Sequence, residues 1–598
     1  MMNKKLHLLL ALLFVTTYQS LMAQSTFKLV QTGYVGALRP ETANDWTKGW
    51  TNYDPKNAIY GAVTDTVTLN GMISTLPIQG EKDITTTVTL TASTVYLLKG
   101  FVVVRSGGKL VIPAGTVIRG LADINANPKN YASIIVERGG KIEINGTATN
   151  PVIMTSTKAV GSRDRGDWGG LVLCGKSANN QAIDQQLEGF SSVTFDTNLG
   201  KFGGTDATDN SGFIRYLRVE FAGLAFEANK EINGVTFGSV GSGTEIKGIQ
   251  VSYSNDDSFE WFGGTVNTTY LIAWKGTDDD FDTDFGYSGL NQFGIGVRDS
   301  AYYDGSYLAA SGSSTSEGFE SDNEASGTAA TTVRTSAVFS NYTMVGPITM
   351  GSTYAAASAE TKNAFRRGAR IRRNSSLRIV NSIFMGYRNF LMIDGDSCVR
   401  NTNNAAALLL VTPTTPVDVK SQQLMFNNNL IINTANAFTG STTANGLVEV
   451  STADKLVAID AWVRLTGKLA NNINPVAYTS GTLLVNPSAY AAAPDFRPIS
   501  NSAALAGANF TDNPVLANLF LLNDSKDLKS IQFAPVYPNP ISNGTLNFGR
   551  EVVSYGIFDI TGRLILHGFD KNQANVNSLS KGTYFIKLDG QVQKFIVQ

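Results

Sequence analysis

Asp256-Asp257-Ser258-Phe259-Glu260 returns as Asp278-Asp279-Asp280-Phe281-Asp282, at a constant offset of 22 residues. A weaker third copy follows at Glu317-Gly318-Phe319-Glu320. An offset of this size is about one coil of a parallel β-solenoid, in which each coil lies about 4.8 Å above the last. In that register Phe stacks on Phe inside the coil, and carboxylate stacks on carboxylate along one edge. Stacked unpaired carboxylates repel, so the edge calls for protons, basic partners or a bound cation.

Outward from this repeat, the chain shows more coils. Phe101-Val102-Val103-Val104-Arg105-Ser106-Gly107-Gly108-Lys109-Leu110-Val111-Ile112 matches Ser133 to Ile144 at an offset of 32, each a short strand, a Gly-Gly turn and a second short strand. Ile214–Val219 and Ile246–Val251 are again 32 apart. Coils of different length coexist when extra residues bulge out as loops, where binding surfaces tend to lie. Asn341, Asn381 and Asn428 each precede an apolar pair, which predicts side-chain amides bonding coil to coil at a turn. Asp495-Phe496-Arg497-Pro498 reads as the last coil. The Trp-rich stretch Trp46-Thr47-Lys48-Gly49-Trp50, within 24–90, reads as a cap over the solenoid's open end. The reading is all-β: a signal peptide at 1–23, the cap at 24–90, a solenoid over 91–510, a linker at 511–530, and a small antiparallel β-sandwich at 531–598.

Composition supports this and excludes much chemistry. Of 598 residues, 48 are Lys or Arg and 49 Asp or Glu, so no basic excess points to nucleic acid. Charged residues are only 16% while Gly reaches 58, which suits a repetitive β chain with many turns. The two histidines, His7 and His567, both fall outside the solenoid, which rules out Ser-His-Asp catalysis, His bases and His-ligated zinc there. Cys174 and Cys398 are too few for a disulfide framework and read as small buried hydrophobes. Lys4 and Lys5 before the apolar run Leu8 to Val15, with Leu21-Met22-Ala23 following, read as a secretory signal. No later stretch is apolar for long enough to span a bilayer as a helix.

The C-terminal residues resemble the type A sorting domain of the type IX secretion system of Bacteroidota. The resemblance rests on Tyr537-Pro538-Asn539-Pro540, Tyr555-Gly556-Ile557-Phe558-Asp559 with Thr561-Gly562-Arg563, Leu579 to Ile586, and Lys594-Phe595-Ile596. It implies handling by that secretion machinery, and release or attachment to surface lipopolysaccharide. Residues 30–510 resemble exported right-handed parallel β-helix proteins of the pectate-lyase-like fold. That resemblance rests on Trp46 to Pro55, Asp167-Trp168-Gly169-Gly170, Asn233-Gly234-Val235-Thr236, the two acidic blocks, Glu320-Ser321-Asp322-Asn323 and Arg370-Ile371-Arg372-Arg373. It implies a fold rather than a mechanism.

Strand alternation predicts that Phe259 and Asp257 face inward while Asp256 and Glu260 face outward. One coil on, Phe281 faces inward and Asp278, Asp280 and Asp282 outward, Asp284 continuing that face and Glu320 and Asp322 extending it. A hard cation such as Ca²⁺ would turn their repulsion into binding energy. The candidate ligands are Asp256, Asp257, Glu260, Asp278, Asp279, Asp280, Asp282, Asp284, Glu320 and Asp322, although the spacing is not that of an EF-hand. Alternatively the acids are solvated, or paired with a basic strip of Arg366, Arg367, Arg370, Arg372, Arg373 and Arg378. Within the strip, Arg370, Arg372 and Arg373 are candidate ligand-binding residues for sulfated or carboxylated glycans or for lipopolysaccharide phosphate. The expected function is adhesion or glycan binding at the cell surface, with Ca²⁺ stiffening one edge. The alternative is a Ca²⁺-dependent polysaccharide lyase or glycoside hydrolase whose two outward carboxylates act as acid and base.

Overall fold

The computed structural model describes residues 27–70, 83–511, 516–517 and 536–598, apart from 124–129, 189, 191–195, 228–229, 305–314, 328–332, 349–356, 405, 407–422, 433–447, 451–454, 465–470, 475–482, 542–543, 561–563 and 589–590. The expected signal peptide and nearly all of the expected linker lie outside the described residues.

The acid-aromatic repeat sets the coil. Phe259 pairs with Phe281 and Phe281 with Phe319 on parallel neighbouring strands. Their rings stack at 5.6 and 5.2 Å between centroids. Two parallel sheets run the length of the solenoid, one of eleven strands and one of sixteen, and their main paths follow chain order. The 32-residue repeats pair in register, Phe101 to Val104 on Ser133 to Val136 and Ile214 on Ile246. In the sixteen-stranded sheet Lys109–Pro113 and Lys141–Asn145 alternate buried and part-exposed residues. In the eleven-stranded sheet Phe101–Val104, Ser133–Val136 and Leu171–Cys174 are buried on both faces. The difference follows from what covers them. Leu187, Phe190, Leu199 and Phe202 pack onto the outer face at Val103, Ile135 and Val172, while the interior takes the other side chains.

The Gly-Gly turns have a steric reason. A Cβ on Gly108 would sit 1.8 Å from the Ile84 carbonyl oxygen, and one on Gly140 would sit 2.3 Å from that of Val104. Backbone of the coil below passes too close for any side chain.

A column of left-handed residues marks the corner within the sixteen-stranded sheet: Tyr216, Tyr270, Phe293, Asn341, Asn381 and Asn428 all have positive φ. The predicted amide ladder exists one residue later. Tyr342 donates its N–H to Ser382 Oγ at 3.0 Å, Ser382 to Asn429 Oδ1 at 2.9 Å, and Asn429 to Asn471 Oδ1 at 3.0 Å. The corner asparagines bond instead to the solenoid's outer layer: Asn341 Nδ2 to Thr32 Oγ1 and the Tyr34 carbonyl, and Asn381 Oδ1 to the Asn509 N–H. A left-handed residue swings its own side chain off the interior face and leaves the next one pointing in.

The N-terminal segment departs from the cap that its Trp residues predict. It is a strap along the flank. Gly36 N–H reaches the Asn381 carbonyl, Val30 and Gln292 exchange two bonds of 2.7 Å, Asn52 and Gln250 exchange two more, and Tyr60 donates to Glu220 at 2.7 Å. Trp50 is fully buried, with Trp46 at 6.3 Å and Tyr216 at 5.7 Å. Only Asp65 to Asn70 lies on the open edge of the first coil, bridging to Tyr96 and Lys99. The strap's aromatic side chains match a second apolar layer outside the sheet, so they find more surface to cover there than at the coil's end.

Asp495–Pro498 is likewise not a coil. It pairs antiparallel with Leu484–Asn486, and Phe496 packs 6.0 Å from Tyr53 of the strap. The last coil closes differently: the helix Leu456–Val463 buries Ile459, Trp462 and Val463 in the solenoid core.

The C-terminal unit is an antiparallel four-stranded sheet of Thr545–Phe558, Leu564–Asn575, Gly582–Leu588 and Gln591–Val597. It has a core of its own, including Val536, Ile541, Phe548, Ile557, Ile586 and Phe595. Thr561-Gly562-Arg563 lie outside the described residues.

Candidate cation site and arginine-lined pocket

One column of register-paired residues runs up the outer face of the eleven-stranded sheet: Val103, Ile135, Val172, Thr236, Glu260, Asp282, Glu320, Arg370 and Met392. Its chemistry changes in blocks, from apolar and covered, through acidic, to basic. Alternation places these side chains outside because their neighbours Phe259, Phe281, Phe319 and Ala369 are fully buried inside.

Carboxylate oxygens converge in three overlapping groups: Asp256, Asp257 and Asp278; Asp257, Glu260 and Asp282; Asp279, Asp282 and Glu320. Within each group one oxygen per residue lies within 4.8 Å of the others. Although outward, Glu260 is only 8% exposed, and Asn233 Nδ2 donates to it. Asp282 keeps one buried oxygen, Oδ1, with no hydrogen-bond donor. No ion pair joins Asp257, Glu260 or Asp282 to a basic side chain among the described residues. Burial pushes Asp257, Glu260, Asp278, Asp279, Asp282 and Asp284 well above the usual carboxylate range. Neighbouring charge adds to this: Asp256 acts on Asp257 and Asp278, Asp282 on Glu260, and Glu320 on Asp282. Two such charges about 5 Å apart repel by about 3 kcal/mol at an effective dielectric of about 20.

Three predicted ligands stand apart from these groups. Asp280, expected outward, is fully buried and pairs with Arg298 at 3.2 Å inside the coil. The strand begins only at Phe281, so Asp280 lies at the corner, where the two-residue alternation of extended chain does not hold. Gly296 leaves the space: a Cβ there would sit 2.6 Å from Asp280 Oδ2. Burial raises the Asp280 carboxyl to about 7 against the opposing pull of Arg298. Asp284 accepts the Phe285 N–H at 2.6 Å, and Asp322 is held by arginines.

The arginine strip divides. Arg370 pairs with Glu320 and Asp394 at 3.3 Å each, Arg372 with Glu320 and with Asp322, and Arg373 with Asp322 at 2.6 Å. The Arg–carboxylate network weighed from sequence therefore forms at Glu320 and Asp322, one coil beyond the acids it leaves unpaired. Arg367 lies under Glu317, and Arg378 is buried at the other sheet on the Ser336 and Gln423 carbonyls. Beside the network is a cavity of about 380 Å³ lined by Ser326, Gly327, Arg370, Arg372, Arg373, Asn374, Asp394, Gly395 and Ser397.

Asn233, Arg298, Arg367 and Asp394 were not singled out as site residues. Asn233 had a signal, since it lies 24 residues before Asp257 and so one coil below it. Arg298, Arg367 and Asp394 had none, because their partners are set by loop lengths of 38 and 50 residues between coils.

The family described as pectate-lyase-like β-helix domain matches residues 82–463, and the secretion system C-terminal sorting domain matches 535–598. No curated protein matches the chain. Among solved structures, the catalytic domain of a GH87 alpha-1,3-glucanase in complex with tetrasaccharides is similar over 67% of this chain and 70% of that chain, at 10% identity and a TM-score of 0.18. A likeness that slight carries no argument about activity.

Proposed function

The chain belongs to the pectate-lyase-like β-helix family and carries a type IX sorting domain that addresses it to the cell surface or extracellular space, and from that premise we propose a cation-stapled glycan-binding protein. The observation that carries this is the group Asp257, Glu260 and Asp282, whose oxygens lie within 4.8 Å of one another with no basic partner. Two oxygens on opposite sides of Ca²⁺, each at about 2.4 Å, are about 4.8 Å apart. Asp282 Oδ1, buried without a donor, is an oxygen that a cation would satisfy. Asp256, Asp278, Asp279 and Glu320 would complete an oxygen-rich edge that suits Ca²⁺ more than a soft metal. Here the bound cation cancels repulsion and fixes the sheet face beside the arginine-lined cavity, where a sugar polymer would dock.

The test is elemental analysis and melting of the secreted protein. Ca²⁺ bound at one or more equivalents, a melting temperature that rises with Ca²⁺, and retention on a glycan array support the reading. Absence of both metal and glycan affinity removes it.

One feature favours a second reading. Glu260 and Asp282 are register partners about one coil apart, with raised carboxyl pKa values, and a separation of about 5 Å is that of acid and nucleophile in retaining glycosidases. Release of reducing ends from a polysaccharide, lost in Glu260→Gln, would replace binding with hydrolysis.

A further inference from the structure

We infer that the cavity beside Arg373 receives a neutral sugar unit and not an anionic one. The inference rests on the glycan-binding reading above and names the ligand class within it.

The charges decide the class. Arginines at a pocket ordinarily suggest sulfate, phosphate or uronate. Here each guanidinium is already engaged: Arg370 by Glu320 and Asp394, Arg372 by Glu320 and Asp322, Arg373 by Asp322. The three cations therefore face three carboxylates. On the neighbouring strand Asp282 and Asp284 add negative charge without a basic side-chain partner. An anionic ligand would have to displace these pairs and approach the acidic edge, both at a cost.

A hydroxyl, by contrast, both donates and accepts, and the cavity offers both kinds of partner. The Arg373 side chain is 42% exposed and supplies further N–H donors, while Asp394 is 26% exposed and supplies acceptor oxygen. Ser326 donates its hydroxyl to Glu324 at 2.7 Å, and its oxygen can still accept. Ser397 and the Asn374 amide line the wall. A pair of vicinal hydroxyls matches a guanidinium or a carboxylate edge two bonds at a time.

The walls are preformed. Arg373 and Asn374 both have positive φ, and Asn401 Nδ2 holds Asn374 by its carbonyl and its Oδ1 at 3.1 Å. Gly327 has φ +64°, and a Cβ there would sit 3.1 Å from Arg373 Cα, so that loop closes tightly on the arginine. Preorganisation lowers the ordering cost of binding. No aromatic ring lines the cavity, so affinity for a single short ligand is set by hydrogen bonds, with Kd on the order of 1 mM.

The experiment is titration of the full secreted protein in saturating Ca²⁺ with neutral tetrasaccharides of glucose, mannose and galactose, and separately with tetragalacturonate and a sulfated tetrasaccharide. At least one neutral ligand should bind, about tenfold more weakly in Arg373→Ala and in Asp394→Asn, with the anionic ligands weaker than the neutral one. Failure of every neutral tetrasaccharide, unchanged affinity in both variants, or tighter anionic binding lost in Arg373→Ala would each overturn the inference. Melting with and without Ca²⁺ on the same samples separates the two readings. A retained Ca²⁺ shift with no neutral sugar bound sinks the pocket alone, while loss of both sinks the cation-stapled reading as well.

Discussion

Asp279 donates its backbone N–H to the carboxylate of Asp257, one coil below, at 2.8 Å. The same bond recurs upward: Glu317 donates its N–H to Asp279, and Arg367 donates its N–H to Glu317 at 2.8 Å. A corner of the solenoid is thus held by side-chain carboxylates that accept the next coil's amide. The ladder ends where the Arg367 guanidinium also reaches Glu317 at 2.8 Å.

Glu317 is fully buried, so removing its partner leaves an uncompensated charge. Arg367→Met should cost about 3 kcal/mol in denaturant unfolding. Adding Glu317→Gln should recover part of that loss, because the second change removes the stranded charge. Additive effects of the two changes would show that the pair is not coupled.

The cation reading separates two effects of one substitution. Ca²⁺ at about a hundred times its dissociation constant should add about 2.7 kcal/mol of stability. Asp282→Asn should weaken that gain, yet raise the stability of the chelator-treated protein, since one repelling charge is gone. Thermal melts in Ca²⁺ and in chelator check both signs.

Asp280 sets a pH dependence opposite to ordinary acid unfolding. Its folded carboxyl titrates at about 7, whereas the unfolded one lies near the model-peptide value of about 3.9. Between these values the folded chain holds a proton that the unfolded chain has released, so stability falls as pH rises. Asp257, Glu260 and Asp282 are raised too and share that sign. Metal-free protein should therefore melt lower at pH 7.5 than at pH 5, and saturating Ca²⁺ should flatten the difference. A metal-free melting temperature that climbs across this range counts against the acidic edge.

Arg298 and Asp280 are both buried inside the coil. Arg298→Met should cost less than Asp280→Leu, because Asp280 can neutralise itself by protonation whereas a lone arginine cannot. The larger loss, about 3 to 5 kcal/mol, is expected for Asp280→Leu in equilibrium unfolding.

The strap should be part of the cooperative fold. Trp50 is fully buried against Trp46 and Tyr216, so Trp50→Ala should cost about 3 to 5 kcal/mol. Proteolysis of that variant should begin within 27–60. Cleavage elsewhere first would mean that the strap is not the layer holding the flank.

The sequence by itself determined the stacking of Phe259 on Phe281, the Gly-Gly turns and the export domain. Each rests on local pattern: a fixed offset, a two-residue alternation, or a turn that only Gly can make. Tertiary structure alone decided the rest. Asp280 turned inward because it lies one residue before its strand, the Trp-rich strap took the flank because apolar surface lay there, and Asp495–Pro498 paired backwards beside it. Loop length, which carries no periodic signal, decided which arginine met which acid: two acidic coils lie 22 residues apart, but Arg370 reaches Glu320 across 50. Periodicity fixes what repeats along a strand. Contacts between distant coils depend on how far each loop displaces the next turn, and that is a property of the folded chain.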